Sequence, residues 1–109
     1  MAAGAPTDED AVAFAAPLWR WDGASAWHFV TLPQDVSDDV ELRAVTAGSE
    51  RGFGSVRVEV SVGATTWRTS LFPDRGRGAY VLPVKREVRV REHLAVDAPV
   101  RVTLRLVTG

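Results

Sequence analysis

Along most of this chain apolar and polar residues alternate one by one. In SVRVEVSV, residues 55–62, Val56, Val58, Val60 and Val62 fall on one side, while Arg57, Glu59 and Ser61 take the other. That period of two is the mark of a half-buried strand. TTWRTSLF follows after Gly63-Ala64, a hairpin spacing that puts Trp67, Thr69 and Leu71 on one face. The C-terminus repeats the pattern, with Val100, Val102, Leu104 and Leu106 set against Arg101, Thr103 and Arg105. Near the start, PLWRW and AWHFVTL flank Asp22-Gly23, a second hairpin signal. Five or six strands joined by short turns predict a mainly β domain, and at this length a small closed barrel is favoured over a sandwich.

Two segments depart from period two. In LPQDVSDDVELRAVT, Val36, Val40 and Ala44 fall four apart, and Asp35 or Ser37 is placed to cap the first turn, so a short helix is expected. In YVLPVKREVRVREHL, residues 80–94, Val84, Val88 and Leu94 are apolar but Arg91 and Glu92 occupy positions where a core residue would be expected. A short helix is the reading here too, although VRVR by itself also suits a strand. The two segments share a layout: a strand, Leu-Pro, then a short helix, at Leu32-Pro33 and again at Leu82-Pro83. Proline removes a ladder donor and ends each strand. Two copies of one unit predict a pseudo-symmetric barrel built by internal duplication.

Length and composition narrow the function classes. The 109 residues suffice for one core, expected over residues 13–109, with the small, polar and acidic residues 1–12 read as a disordered tail. Without cysteine there is no disulfide, thiol nucleophile or thiolate metal site. The start carries acids in place of a basic leader region, and no run approaches the roughly 18 apolar residues of a membrane span, so a cytoplasmic, soluble protein is expected. The net charge of −1 conceals a split: residues 1–50 hold nine acids and two bases, and the remainder holds eleven bases and five acids. Such a split fits a basic binding face; it fits equally well two halves that attract one another, which is the reading preferred here.

WHFVTLP, RGFGSVRVEVSVG, TWRTSLFP and YVLPVKREVR, in that order, resemble the bacterial and archaeal family called domain of unknown function 1905, over roughly residues 14–107. The resemblance implies a closed double-split β-barrel with one or two short helices. The fold so implied is a single-chain relative of the swapped-hairpin barrels of AbrB-type regulators, which assemble from two chains. Because the duplication supplies both halves here, a monomer is expected. Some members carry a further domain, which a chain ending at Gly109 just after its last strand is expected to lack. HLAVDAPV departs from the family's Gly-Asp turn, with Asp97-Ala98 in its place. The resemblance implies no activity.

Three kinds of site are compatible with these residues. A binding site for a protein partner or small ligand is expected at one barrel end, near Arg51, Phe53, Trp67, Arg68 and Lys85. Four tryptophans (Trp19, Trp21, Trp27 and Trp67) could line such a pocket, but core filling is the simpler role, and an exposed Trp19-Trp21 pair would be the informative exception. Nucleic acid is the alternative, through Arg75, Arg77, Lys85, Arg86, Arg89 and Arg91. It is disfavoured, because Glu87 and Glu92 interrupt the run, the pI is about 6.1, and the matching first-half face carries Asp35, Asp38, Asp39 and Glu41. RGFG, residues 51–54, lacks the longer patterns of phosphate loops and reads as a turn. A hydrolase-like enzyme comes last: His28 and His93 have no evident acidic partner, Ser25 and Ser70 sit in no GxSxG pattern, and Asp35, Asp38 and Asp39 look like helix-start acids. No cofactor and no metal site are expected. The sequence predicts a small binding or interaction module.

Overall fold

The computed structural model describes residues 11–23, 26–46 and 54–107. The elements are β1 (Val12–Asp22), β2 (Ala26–Thr31), α1 (Gln34–Thr46), β3 (Val56–Val62), β4 (Thr65–Asp74), β5 (Ala79–Pro83), α2 (Arg86–Arg91) and β6 (Pro99–Leu106). The strands close into one barrel in the order β1-β2-β5-β4-β3-β6, every ladder antiparallel. Residues 1–10 of the expected tail lie outside the described residues, and β1 begins at Val12, inside the segment assigned to that tail.

The element order is ββαβ twice, and the pairings map onto themselves when the two units are exchanged. β1 pairs β2 as β4 pairs β5, and β1 pairs β6 as β4 pairs β3. The β2–β5 and β3–β6 ladders join the units and lie on the pseudo-two-fold axis. The two long strands change partner midway. Residues 12–17 of β1 pair β6 and residues 18–22 pair β2. Residues 65–71 of β4 pair β3 and residues 72–74 pair β5. In β1 the change falls at Pro17, which has no N–H to give to either ladder. Just beyond it, the Leu18 N–H donates to Ala98 and the Leu18 carbonyl accepts from Asp97, so a loop covers the split.

The core is rich in valine, as a pleated and half-buried surface favours. Val30, Val56, Val58, Val60, Val100 and Val102 are buried with Leu18, Leu71, Leu82 and Leu104. Each fully buried Val or Leu stabilises the fold by roughly 1.5–3 kcal/mol before chain entropy is set against it. The helices close the barrel with Val40 and Ala44 of α1 and Val88 of α2, while Val36 and Leu94 are partly buried against the core. Neither expected cap position acts as drawn at α1: Asp35 is exposed in the first turn, and Ser37 is buried within the helix. The Ser37 hydroxyl accepts the Tyr80 N–H at 3.0 Å, and the Gln34 amide donates to the Gly78 carbonyl at 3.1 Å, so α1 is fastened to β5 and its preceding turn.

The β3–β4 hairpin is tied to the end of α2. Gly63 turns with φ +57°, and a β-carbon there would collide with the Glu92 carboxylate, which accepts the hydroxyl of buried Thr65 at 2.6 Å. Gly78 has φ +68° but open space around it. Gly63→Ala should therefore destabilise the domain more than Gly78→Ala. The second loses only the left-handed tolerance of glycine, about 1 kcal/mol. The first also disrupts the Glu92 contact, for about 2 kcal/mol or more in all. Urea denaturation of the two variants measures the difference; equal losses would remove Glu92 as the cause.

Candidate functional site

The splits that allow closure leave a gap on one side of the barrel. β2 pairs β5 only through residues 29–31, and β4 turns from β3 to β5 at residues 71–72. Between residues 26–28 of β2 and residues 67–69 of β4 the wall opens, and the segment from Pro83 into α2 runs beside the opening. The result is a groove of about 470 Å³. Trp67, half-buried against the core, lines it together with Trp27 and Phe72. Its charged lining is Arg68, Lys85, Arg86 and Arg89, with no acid among the lining residues.

These cations are held to different degrees. Arg89 Nε donates to the Val84 carbonyl at 3.2 Å, and its Nη1 donates to His28 Nε2 at 3.4 Å. His28 Nδ1 in turn donates to the Ala26 carbonyl at 3.2 Å, so both ring nitrogens are engaged. Arg68 approaches Glu59 at 3.6 Å, across an exposed pair of the kind worth little in water. The side chains of Lys85 and Arg86 are exposed and form no hydrogen bond or ion pair among the described residues.

Beside the groove lies a second concavity of about 630 Å³ on the outer face of β1, β2, β5 and β4. Register explains its lining. With Leu18 and Val30 turned inward, Trp19, Trp21, Trp27 and Phe29 must point outward, and they face one another as the pairs Trp19↔Phe29 and Trp21↔Trp27. Phe72 points outward beside them. Trp21, Trp27 and Phe72 are 49%, 50% and 44% exposed. Trp19 is less free: its indole N–H donates to the Thr31 hydroxyl at 2.8 Å, and the Arg77 guanidinium lies 3.9 Å over its ring. The opposite outer face, on β3, β4 and β6, is ordinary by comparison. There Ser61 bonds Thr66, Arg57 bonds Ser70, and Glu59 lies between Arg68 and Arg105.

The expected ligand residues Trp67, Arg68 and Lys85 thus line one groove, while Arg51 and Phe53 lie outside the described residues. Of the residues considered for nucleic acid, Lys85, Arg86 and Arg89 line the groove, and Arg75 and Arg77 line the neighbouring concavity. Arg91 lies apart from both, beside Glu87 and Val90 on α2. Core filling does not describe Trp21 or Trp27, which are exposed. The period-two phase set by Leu18 and Val30 already carried that information; the size of tryptophan obscured it. His28, beside Arg89 at the groove, was also missed as a site residue. No group of three or more His, Cys, Asp or Glu gathers as for a metal ion, and no helix is long and apolar enough to cross a membrane, among the described residues.

Asp74 is the one acid lining the second concavity. Burial raises its carboxyl, but the hydrogen bonds and charge of Arg77, 2.8 Å away, outweigh that and hold it below the usual carboxylate value. Its ionised form therefore supports the fold above the unfolded value of about 4, and that support fades as pH falls through the lower folded value. Wild type and Asp74→Asn should differ in urea midpoint at pH 7 and converge below about pH 3. A gap that stays constant with pH would mean that the charge is not responsible.

A family model described as Domain of unknown function (DUF1905) matches residues 14–104, which includes nearly all of the barrel. No curated protein matches the chain. The chain belongs to the DUF1905 family.

Proposed function

We propose that this member of the family is a non-catalytic binding module whose site is the groove between β2, β4 and α2, and that its ligand is an anion carrying a flat ring. The observation behind this reading is the lining: four cations without an acid, walled by Trp27, Trp67 and Phe72. Clustered like charges cost stability unless a counter-charge is supplied, and Lys85 and Arg86 have none among the described residues. Aromatic walls add stacking and cation–π attraction for a planar group. His28 is engaged by Arg89 and by the Ala26 carbonyl, which suits a positioning role better than proton transfer. The module acts as a single chain, since the duplicated units supply both halves of the barrel, and its proposed place of work is the cytoplasm.

Adenosine triphosphate, with a ring, and inorganic pyrophosphate, without one, are suitable probes. Tryptophan fluorescence should be quenched by adenosine triphosphate, with binding that weakens as salt is added, and pyrophosphate should compete more weakly. The Lys85→Ala/Arg86→Ala variant should bind roughly tenfold less tightly, about 0.7 kcal/mol for each exposed cation. Absence of quenching at low salt, or equal affinity in the variant, would remove the groove from consideration.

A further inference from the structure

The groove and the outer concavity are one surface, because Trp27 and Phe72 line both. Together their linings hold six cations, Arg68, Arg75, Arg77, Lys85, Arg86 and Arg89, and one acid, Asp74; Arg77 pairs with Asp74 and Arg68 approaches Glu59, so Arg75, Lys85, Arg86 and Arg89 have no acidic partner among the described residues. Three large rings, Trp21, Trp27 and Phe72, stand about half exposed along this surface. We propose that this face binds single-stranded nucleic acid: unpaired bases stack on Trp21, Trp27 and Phe72, and the phosphates run past Lys85 and Arg86 at one end and Arg75 at the other. The proposal rests on the anion-site reading of the groove and extends it to a polymer.

Three features select this occupant. Exposed rings are of no use to a duplex, whose bases are already stacked, whereas every unpaired base has a π-face to offer. A two-fold duplex reader would need matching basic faces, yet the pseudo-symmetric counterpart of α2 is α1, which carries Asp35, Asp38, Asp39 and Glu41. For a protein partner, the core of an interface is expected to be poor in charge; here unpaired Lys85 and Arg86 line the same groove as Trp27 and Phe72. The charge complement of such a face is a polyanion with planar groups. The outer face of four strands is about 14 Å wide at the usual spacing, and with the groove it accommodates on the order of four nucleotides, the low end for small β-barrels.

The two repeated units divide this labour. Of the stacking rings, Trp21 and Trp27 come from the first ββαβ unit and Phe72 from the second, which also supplies all six cations. Six of the eleven bases of residues 51–109 thus gather on one composite face, to which the first unit adds Trp21 and Trp27.

Fluorescence anisotropy with labelled twelve-residue oligothymidine, the same length of duplex DNA, and a polyglutamate peptide tests the proposal at about 50 mM salt, where phosphate contacts are strongest. Oligothymidine should bind with quenching of tryptophan fluorescence and be preferred over both other probes. Trp27→Ala and Trp21→Ala should each weaken binding roughly tenfold, as loss of one stacked base does. Lys85→Ala/Arg86→Ala, at exposed positions and with circular dichroism like the wild type, should lower the salt dependence by about 1.4 in log–log slope, two single-strand phosphate contacts. Arg57→Ala, on the opposite outer face, should leave the affinity unchanged. Duplex or polyglutamate binding as tight as oligothymidine would overturn the proposal. So would unchanged affinity in both tryptophan variants with circular dichroism like the wild type. If adenosine triphosphate binds the groove and oligothymidine does not, the polymer proposal fails and the anion-site reading stands; if neither binds, both fail.

Discussion

A small barrel has no free edge only if every strand finds two neighbours, and here that demand falls on two strands long enough to serve different partners along their length. β1 hands over from β6 to β2 at Pro17, and β4 hands over from β3 to β5 beyond Leu71. The handover keeps the backbone paired while the chain turns between the two sheets. It also holds the phase of side-chain alternation through the bend, so Leu18 and Leu71 stay inside with the valines. Packing of the barrel core and the outward direction of Trp19, Trp21, Trp27, Phe29 and Phe72 follow from that phase.

The same demand creates the site. A strand that leaves one neighbour for another opens a wedge beside the point of departure, and the wedge beside β4 is where the groove lies. The segment after Pro83 closes it incompletely, because α2 has six residues and anchors chiefly through Val88. Side chains from β2, β4 and α2 therefore meet around space instead of around one another. Arg89, bonded to Val84 and His28, is held in place there, while Lys85 and Arg86 stay solvated.

Duplication explains why a symmetric backbone carries an asymmetric surface. Inward positions in both units share one core and are mostly valine and leucine. Outward positions do not affect closure, so one helix is acidic and the other largely basic without cost to the barrel. Tyr80 illustrates the opposite case: burial, with the nearby charge of Glu41, pushes its phenol up, and its backbone N–H is claimed by Ser37. A position so enclosed is not free to vary in charge.

Period two, the Leu-Pro punctuation and the repeated unit were enough to reveal a duplicated mainly β barrel, because alternation and proline act locally and leave marks on the residues that bear them. The same alternation, followed from Leu18 to Trp19 and Trp21, also held the direction of the exposed rings, although side-chain bulk argued for the core. Other features depended on contacts between distant parts of the chain. Ser37 looks like a helix cap until β5 is placed 43 residues away along the chain to donate to it. Trp67, Arg68 and Lys85 share a wall with Trp27 and His28 only because β4 changes partners, and Arg75 and Arg77 meet Trp19 only because β1 and β4 both flank the β2–β5 ladder. Local patterns determined which residues face inward; closure of the barrel determined which outward residues became neighbours, since that depends on strand order and register and not on spacing along the chain.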